Sequence, residues 1–229
     1  MLRHSFLSTA KKLSPFEIDA YADHVKELER TAPPVTYTPL GMKVVVISDT
    51  HGHLAFGDHR LECFLDRVGE FDLCLLLGDI EPEEMGSICD CIPREKILGV
   101  LGNHDVPTLY KSFRIKDISG KAVRYKGLTI GGIGGSFRYK DADFPSLTNY
   151  QSLVLAEKMP SADILITHDT AFTYPYRDPA HSGLAGISHC IFKKGARLHF
   201  HGHIHSSYEK RYSNGTVEKC VYLAEEIEI

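Results

Sequence analysis

From Met42 onward, short apolar runs alternate with longer mixed stretches in a repeating strand, loop, helix order. Lys43-Val44-Val45-Val46-Ile47-Ser48 is a β-branched run without polar alternation, the pattern of a strand buried on both faces. Leu73–Leu77, Ile97–Leu101, Leu128–Ile133, Ile164–Thr167 and Leu198–His201 read as further strands, and helices fit between them at 58–69, 82–91, 147–158 and 183–194. Asn214-Gly215, between Ser207–Tyr212 and Thr216–Leu223, predicts a type I′ hairpin. The whole predicts a layered α/β domain with mixed strand directions. There is no internal repeat and no low-complexity segment.

The first forty residues follow another pattern. Ser14-Pro15-Phe16-Glu17 carries an N-cap, a first-turn proline and a capping-box glutamate, so a helix is expected from about 15 to 30. Ala32-Pro33-Pro34 breaks it, and residues 33–41 read as an extended linker. We therefore divide the chain into a helical appendage and linker, 1–41, and a main domain, 42–229.

Composition narrows the field. The chain has 229 residues, 43% of them hydrophobic, and can bury a real core. A formal charge of -4 leaves no basic footprint and argues against nucleic acid as a partner. No apolar run reaches the length of a membrane span and no signal-peptide core precedes the domain, so no membrane association is expected. The cysteines show no C-x-x-C spacing and read as buried, reduced thiols of a cytoplasmic protein.

Chemistry gathers where the predicted strands run out: Asp49-x-His51, Gly78-Asp79, Gly102-Asn103-His104-Asp105, His168 and Gly202-His203-Ile204-His205. Strand ends are where an open α/β sheet builds its site. Each piece alone has a plainer reading: Asp79 as a helix N-cap, Gly102–Asp105 as a polar turn, His168 as a core or capping histidine. Carboxylate with imidazole, however, suits Mn, Fe or Zn better than the all-oxygen shells of Ca or Mg. His203 and His205 share one side of an extended segment and form the strongest local signal. Taken together, the pieces point to a two-metal hydrolytic centre.

In this order the motifs D-x-H, G-D, G-N-H-D, H and G-H-x-H resemble those of the calcineurin-like metallophosphoesterase superfamily. Within it the compact prokaryotic phosphoesterases related to cyclic-nucleotide phosphodiesterases look most similar. The resemblance implies a four-layer αββα sandwich of two mixed sheets flanked by helices (α/β, or α+β by some schemes). It also implies two divalent ions, manganese foremost, with Fe, Zn or Ni as alternatives. One would be held by Asp49, His51, Asp79 and His205, the other by Asp79, Asn103, His168 and His203, with Asp79 bridging. His104 would stay off the metals, stabilising charge on the substrate or protonating its leaving oxygen. The implied reaction is in-line attack of a metal-bridging hydroxide on a small phosphomonoester or phosphodiester.

A nuclease and a catalytically silent scaffold on the same fold are the competing functions. A protein phosphatase fits poorly, because Ile80-Glu81-Pro82 and Val106-Pro107 stand where that branch carries arginines. Asp105 and Asp169 are either partners that orient a site imidazole or helix caps. Arg138 is either a phosphate contact or a surface arginine. Gly131–Ser136 reads as close-packed backbone at the site rim. His53, His181, His199 and His201 are left outside the ligand set. Ester preference rests with the loops at 106–126, 137–148 and 170–182.

Overall fold

Side-chain alternation along buried strands sets the layering. The computed structural model describes residues 7, 12, 18–39, 41–54, 60–140, 145–174 and 178–229. Its strands are β1 (Lys43–Ser48), β2 (Leu73–Leu76), β3 (Ile97–Gly99), β4 (Lys116–Asp117), β5 (Ala122–Tyr125), β6 (Leu128–Ile133), β7 (Ser136–Phe137), β8 (Ser146–Leu147), β9 (Ile164–Thr167), β10 (Leu198–His201), β11 (Tyr208–Arg211), β12 (Val217–Cys220) and β13 (Leu223–Glu228). Its helices are α1 (Ile18–Arg30), α2 (Leu61–Val68), α3 (Pro82–Cys91), α4 (Leu109–Phe113), α5 (Asn149–Lys158) and α6 (Ala185–Ser188), the last running on into a π-turn over His189–Lys193.

The first sheet has the order β13-β1-β2-β3-β4, parallel except for β13, which lies antiparallel to β1. The second has the order β11-β12-β10-β9-β6-β5, with β12, β10, β9 and β6 parallel and an antiparallel strand at each edge. Strand parity then sorts the core. Val44, Val46, Leu73 and Leu75 face Ile164, Ile166, Leu198 and Phe200 between the sheets. Val45, Ile47, Cys74 and Leu76 face outward under α2, α3 and α4 through Leu61, Met85, Ile88 and Leu109. Ile133 and Leu165 face outward on the other side, under α1, α5 and α6. Helix, sheet, sheet, helix is the four-layer sandwich expected from the resemblance.

Helix α1 presents Tyr21, Ala22, Val25 and Leu28 on one stripe to the second sheet's helical layer, while Asp23, Lys26, Glu27 and Arg30 stay in solvent. Its predicted cap at Ser14–Glu17 lies outside the described residues. The linker after it is extended and tied down, Val35 N donating to Asn214 O at 2.8 Å and Met42 N to Ile229 O at 2.9 Å.

Three local expectations change. The hairpin at Asn214-Gly215 forms, but with a three-residue loop. Gly215 N donates to Tyr212 O and Tyr212 N to Thr216 O, both at 2.9 Å, and only Gly215 takes positive φ, at 98°. Asn214 is instead buried, its side-chain amide donating to Ile191 O and its Oδ1 accepting from Thr216 N. The strand expected over Thr216–Leu223 stops at Cys220. Leu223, at φ 67°, starts β13 on the other sheet, where a partly charged edge strand lacks the apolar run that marks buried ones. The cysteines are all free, but Cys63 and Cys91 are exposed, on outward faces of α2 and α3; the other four are buried as expected.

Tyr21 is fully buried. Tyr21→Ala is expected to lower unfolding stability by about 3–5 kcal/mol in a urea titration; an unchanged midpoint would show that α1 packs outside the cooperative core.

Candidate metal centre

Parallel strands end on the same side, so the loops after β1, β2, β3, β9 and β10 converge. The first sheet delivers Asp49, His51, Asp79, Asn103 and His104, and the second delivers His168, His203 and His205. The two sets are laced together across the sheets. His203 N donates to Asp49 Oδ2 at 2.8 Å, and His168 Nδ1 donates to Leu77 O at 2.8 Å.

The backbone is bent to achieve this. Of the eight non-glycine residues with positive φ among the described ones, five belong to the site: Asp49 (52°), His51 (42°), Asp79 (56°), His203 (68°) and His205 (52°). Such a residue costs on the order of 1 kcal/mol unless surrounding contacts hold it. Asp105 is one holder. Its buried carboxylate accepts Asp79 N at 3.0 Å, Ile80 N at 2.9 Å and Gly102 N at 2.7 Å, joining the turns after β2 and β3. Glu84, buried at the start of α3, is another; it accepts Gly52 N at 3.0 Å, Leu54 N at 2.8 Å and the Thr50 hydroxyl. Glycine permits the closest approaches. A Cβ on Gly102 would lie 2.1 Å from Asp79 Oδ1, and one on Gly202 would lie 2.2 Å from Asp49 Oδ2.

The electrostatics decide what the site can hold. Asp49 and Asp79 are 0% and 2% exposed, and Asp49 Oδ1 and Asp79 Oδ2 have no hydrogen-bond partner. Burying a carboxylate oxygen this way is unfavourable without a positive partner. Around these oxygens stand His205 Nε2, 3.5 Å from Asp49 Oδ1, and His51 Nε2, 3.7 Å from Asp79 Oδ2, with 3.3 Å between the two nitrogens. His168 Nε2 is 3.5 Å from Asp79 Oδ2 and 2.9 Å from Asn103 Oδ1. Because its Nδ1–H is spent on Leu77 O, neutral His168 turns a lone pair toward those oxygens. Potential ligand atoms of Asp49, His51 and His205 lie within 4.8 Å of one another, as do those of Asp49, Asp79 and His168. Converging acceptors with two orphaned anionic oxygens fit divalent cations, and mixed nitrogen and oxygen donors fit Mn, Fe, Zn or Ni.

Burial and the neighbouring charges pull these groups in opposite directions. Burial pushes the Asp79 carboxyl up, but His168, the His104 amide and neighbouring imidazoles hold it below the usual range. Burial pushes His168 down, yet Asp79 and Asp49 hold it above its ordinary value. Burial lowers His203 despite Asp169.

The predicted residues therefore divide. Asp49, His51, Asp79, His168 and His205 come together at ligand distances, and Asn103 joins through its amide oxygen. His203 packs its ring 4.9 Å from that of His168 and donates Nε2–H to Ala180 O at 2.9 Å, which leaves Nδ1 as its free donor atom. His104 donates its backbone N–H to Asp79 Oδ1 at 2.8 Å while its exposed ring stands edge-on to His51 at 5.5 Å.

Other expectations are corrected. Asp105 and Asp169 bond backbone amides, Asp169 accepting Phe137 N and Thr170 N, and neither orients an imidazole. Arg138 is half-buried and clamps Ser146 through its Oγ and carbonyl. His199 and His201 lie on the outer face of the second sheet, where Glu218, Thr167, Gly202 O and Tyr208 take all their ring nitrogens. Sequence reasoning missed Glu84 and Ser48, whose hydroxyl donates to Asp49 Oδ2 at 2.6 Å. Glu84 had a signal, a capping-box position in Glu81-Pro82-Glu83-Glu84; Ser48 had none.

Residues 42–222 match the family described as Calcineurin-like phosphoesterase superfamily domain. The chain belongs to the calcineurin-like phosphoesterase superfamily. That superfamily consists of metal-dependent phosphoesterases and supports a phosphohydrolase. No curated protein matches this chain. Its fold is similar to that of TT1561 of Thermus thermophilus, at 13% identity and a TM-score of 0.55, over 83% of this chain and 99% of that one. It is also similar to Phosphopantetheinyl Hydrolase from Mycobacterium tuberculosis, at 13% identity and a TM-score of 0.53, over 80% and 91% of the two chains. A Putative 5'-Nucleotidase from Staphylococcus aureus aligns at 16% identity and a TM-score of 0.51, over 80% of this chain and 50% of that one.

Asp105→Asn replaces an acceptor oxygen with an NH₂ facing backbone N–H groups. It is expected to weaken Mn²⁺ binding by about 10–100-fold in a calorimetric titration. Affinity equal to the wild type would show that the turns at 79 and 102 are held by other contacts.

Proposed function

We propose that this phosphoesterase hydrolyses a small phosphomonoester or phosphodiester with two divalent ions, manganese foremost. The observation that carries the reading is the pair of buried carboxylates, Asp49 and Asp79, each with an unpartnered oxygen facing imidazole nitrogens. Asp49, His51, Asp79 and His205 would hold one ion, and Asp79, Asn103, His168 and His203 the other. When bound, such ions would supply water activation and charge stabilisation on the phosphoryl oxygens.

The rest falls to the chain's own residues. Asp79 would be the shared ligand, its unpartnered Oδ2 lying 3.7 and 3.5 Å from a nitrogen on either side, His51 and His168. Asp105 and Glu84 fix the turns that carry the ligands. The His104 side chain is exposed in the cavity that His51 and Asp79 also line, free to donate a hydrogen bond to a phosphoryl oxygen or a proton to the leaving oxygen.

Likeness of fold at this level of identity does not transfer a substrate. A nuclease reading is weakened by the net charge of -4. Among the described residues no helix is long and apolar enough to cross a membrane. The free cysteines suit a reducing compartment, and we place the protein in the cytoplasm.

Protein reconstituted with Mn²⁺ is expected to hydrolyse p-nitrophenyl phosphate or bis-p-nitrophenyl phosphate; inertness toward both and toward cyclic nucleotides would favour a scaffold. His104→Ala is expected to keep its full metal content, measured by elemental analysis, while turnover falls about 10²–10⁴-fold. Loss of metal would instead make His104 part of the ligand set.

A further inference from the structure

Beside the centre lies a cavity of about 110 Å³ whose walls differ in chemistry. His51 and His104 form the side toward the metal ligands. Pro82, Val106 and Leu109 form an apolar side, and Glu81 lines it as well. Val106 is 51% exposed, a large apolar side chain left in solvent at the edge of a polar site. Among the described residues no lysine or arginine lines the cavity. Its other two carboxylates are committed, Asp79 to the centre and Asp105 to backbone amides. Glu81 is exposed at the N-cap of α3, where its side chain takes the Glu84 amide, and it forms no ion pair with a side chain among the described residues, so it presents a carboxylate at the edge of the cavity.

We propose that this cavity receives the leaving group of the substrate, and that it selects a small apolar group that is uncharged or cationic. The proposal rests on the phosphoesterase reading and gives it a substrate class. A dry cavity of roughly 150 Å³ takes a benzene ring, so this smaller, open one takes the edge of a single ring or a short branched chain. A whole nucleoside does not fit within it, and Glu81 repels anionic groups such as a second phosphate. Hydrolysis breaks the P–O bond to the leaving group, water supplies the hydroxyl to phosphorus, and the proton goes to the leaving oxygen. Seating that oxygen's substituent between Val106 and Leu109 leaves the oxygen toward the other side, which carries the exposed His104 imidazole.

Arylphosphonates test this without turnover, because their C–P bond is not hydrolysed. Phenylphosphonate, 4-(aminomethyl)phenylphosphonate and 4-carboxyphenylphosphonate are titrated calorimetrically into the Mn²⁺-loaded protein. The neutral and cationic probes are expected to bind about two- to fivefold more tightly than the carboxylated one, the scale of a solvated charge pair. Glu81→Gln is expected to remove most of that difference. Glu83→Gln, an exposed change in the same turn of α3 that does not line the cavity, is expected to leave it intact. Equal affinities, no binding of any probe, or equal effects of the two substitutions would overturn the proposal. A preserved preference in a protein that hydrolyses no phosphoester would support the cavity and overturn the hydrolase reading alone. Turnover without any preference would do the reverse.

Discussion

Two carboxylates of the same sign, Asp49 and Asp79, are buried at the ends of neighbouring parallel strands, and much of the local structure exists to keep them there. Like charges out of water repel and lose hydration, so their oxygens are divided between tasks. Asp49 Oδ2 takes the Ser48 hydroxyl and the His203 amide, and Asp79 Oδ1 takes the His104 amide. The remaining oxygen of each turns toward imidazoles. Structural hydrogen bonds thus hold one side of each group while the other side stays free for a cation.

This arrangement explains why strain, glycine and buried acids concentrate in one region. The ligands occupy left-handed backbone conformations because a parallel strand ending in an extended conformation would carry them past the centre. Gly102 and Gly202 let neighbouring backbone lie against the two carboxylates, closer than any side chain allows. Asp105 and Glu84 do not face the centre with free oxygens; they spend their acceptors on the amides of the turns. The rigidity comes from hydrogen bonds between loops of different strands, and it is backed by apolar layers on both sides of each sheet.

The layers in turn follow from parity. Val44 and Val46 pack between the sheets while Val45 and Ile47 pack beneath helices, so a strand without alternation is the one that can end at a buried carboxylate. That is why the apolar runs and the ligand motifs could be read together from the chain. β13 escaped that reading because it lies at a sheet edge and presents Glu226 and Glu228 to solvent. The hairpin loop gained a residue because Asn214 finds better partners buried on Ile191 and Thr216 than in a left-handed turn.

By itself the sequence determined the order of the ligand motifs along the chain, the residue types offered to a metal and the buried strands that carry them. Those are local properties: periodicity, β-branched runs and the donor atoms of each side chain. Tertiary structure decided what the other acids bond. Asp105 and Asp169, open in the chain between orienting an imidazole and capping a helix, spend their oxygens on backbone amides, those of Asp79, Ile80 and Gly102 and those of Phe137 and Thr170, while Asp49 and Asp79 each keep an unpartnered oxygen. It also decided that His199 and His201 belong to a buried cluster around Glu218, although they stand within a few residues of His203. The reason is physical. What a polar side chain does depends on the partners left once the sheets have packed, and those partners come from strands the local sequence does not contain.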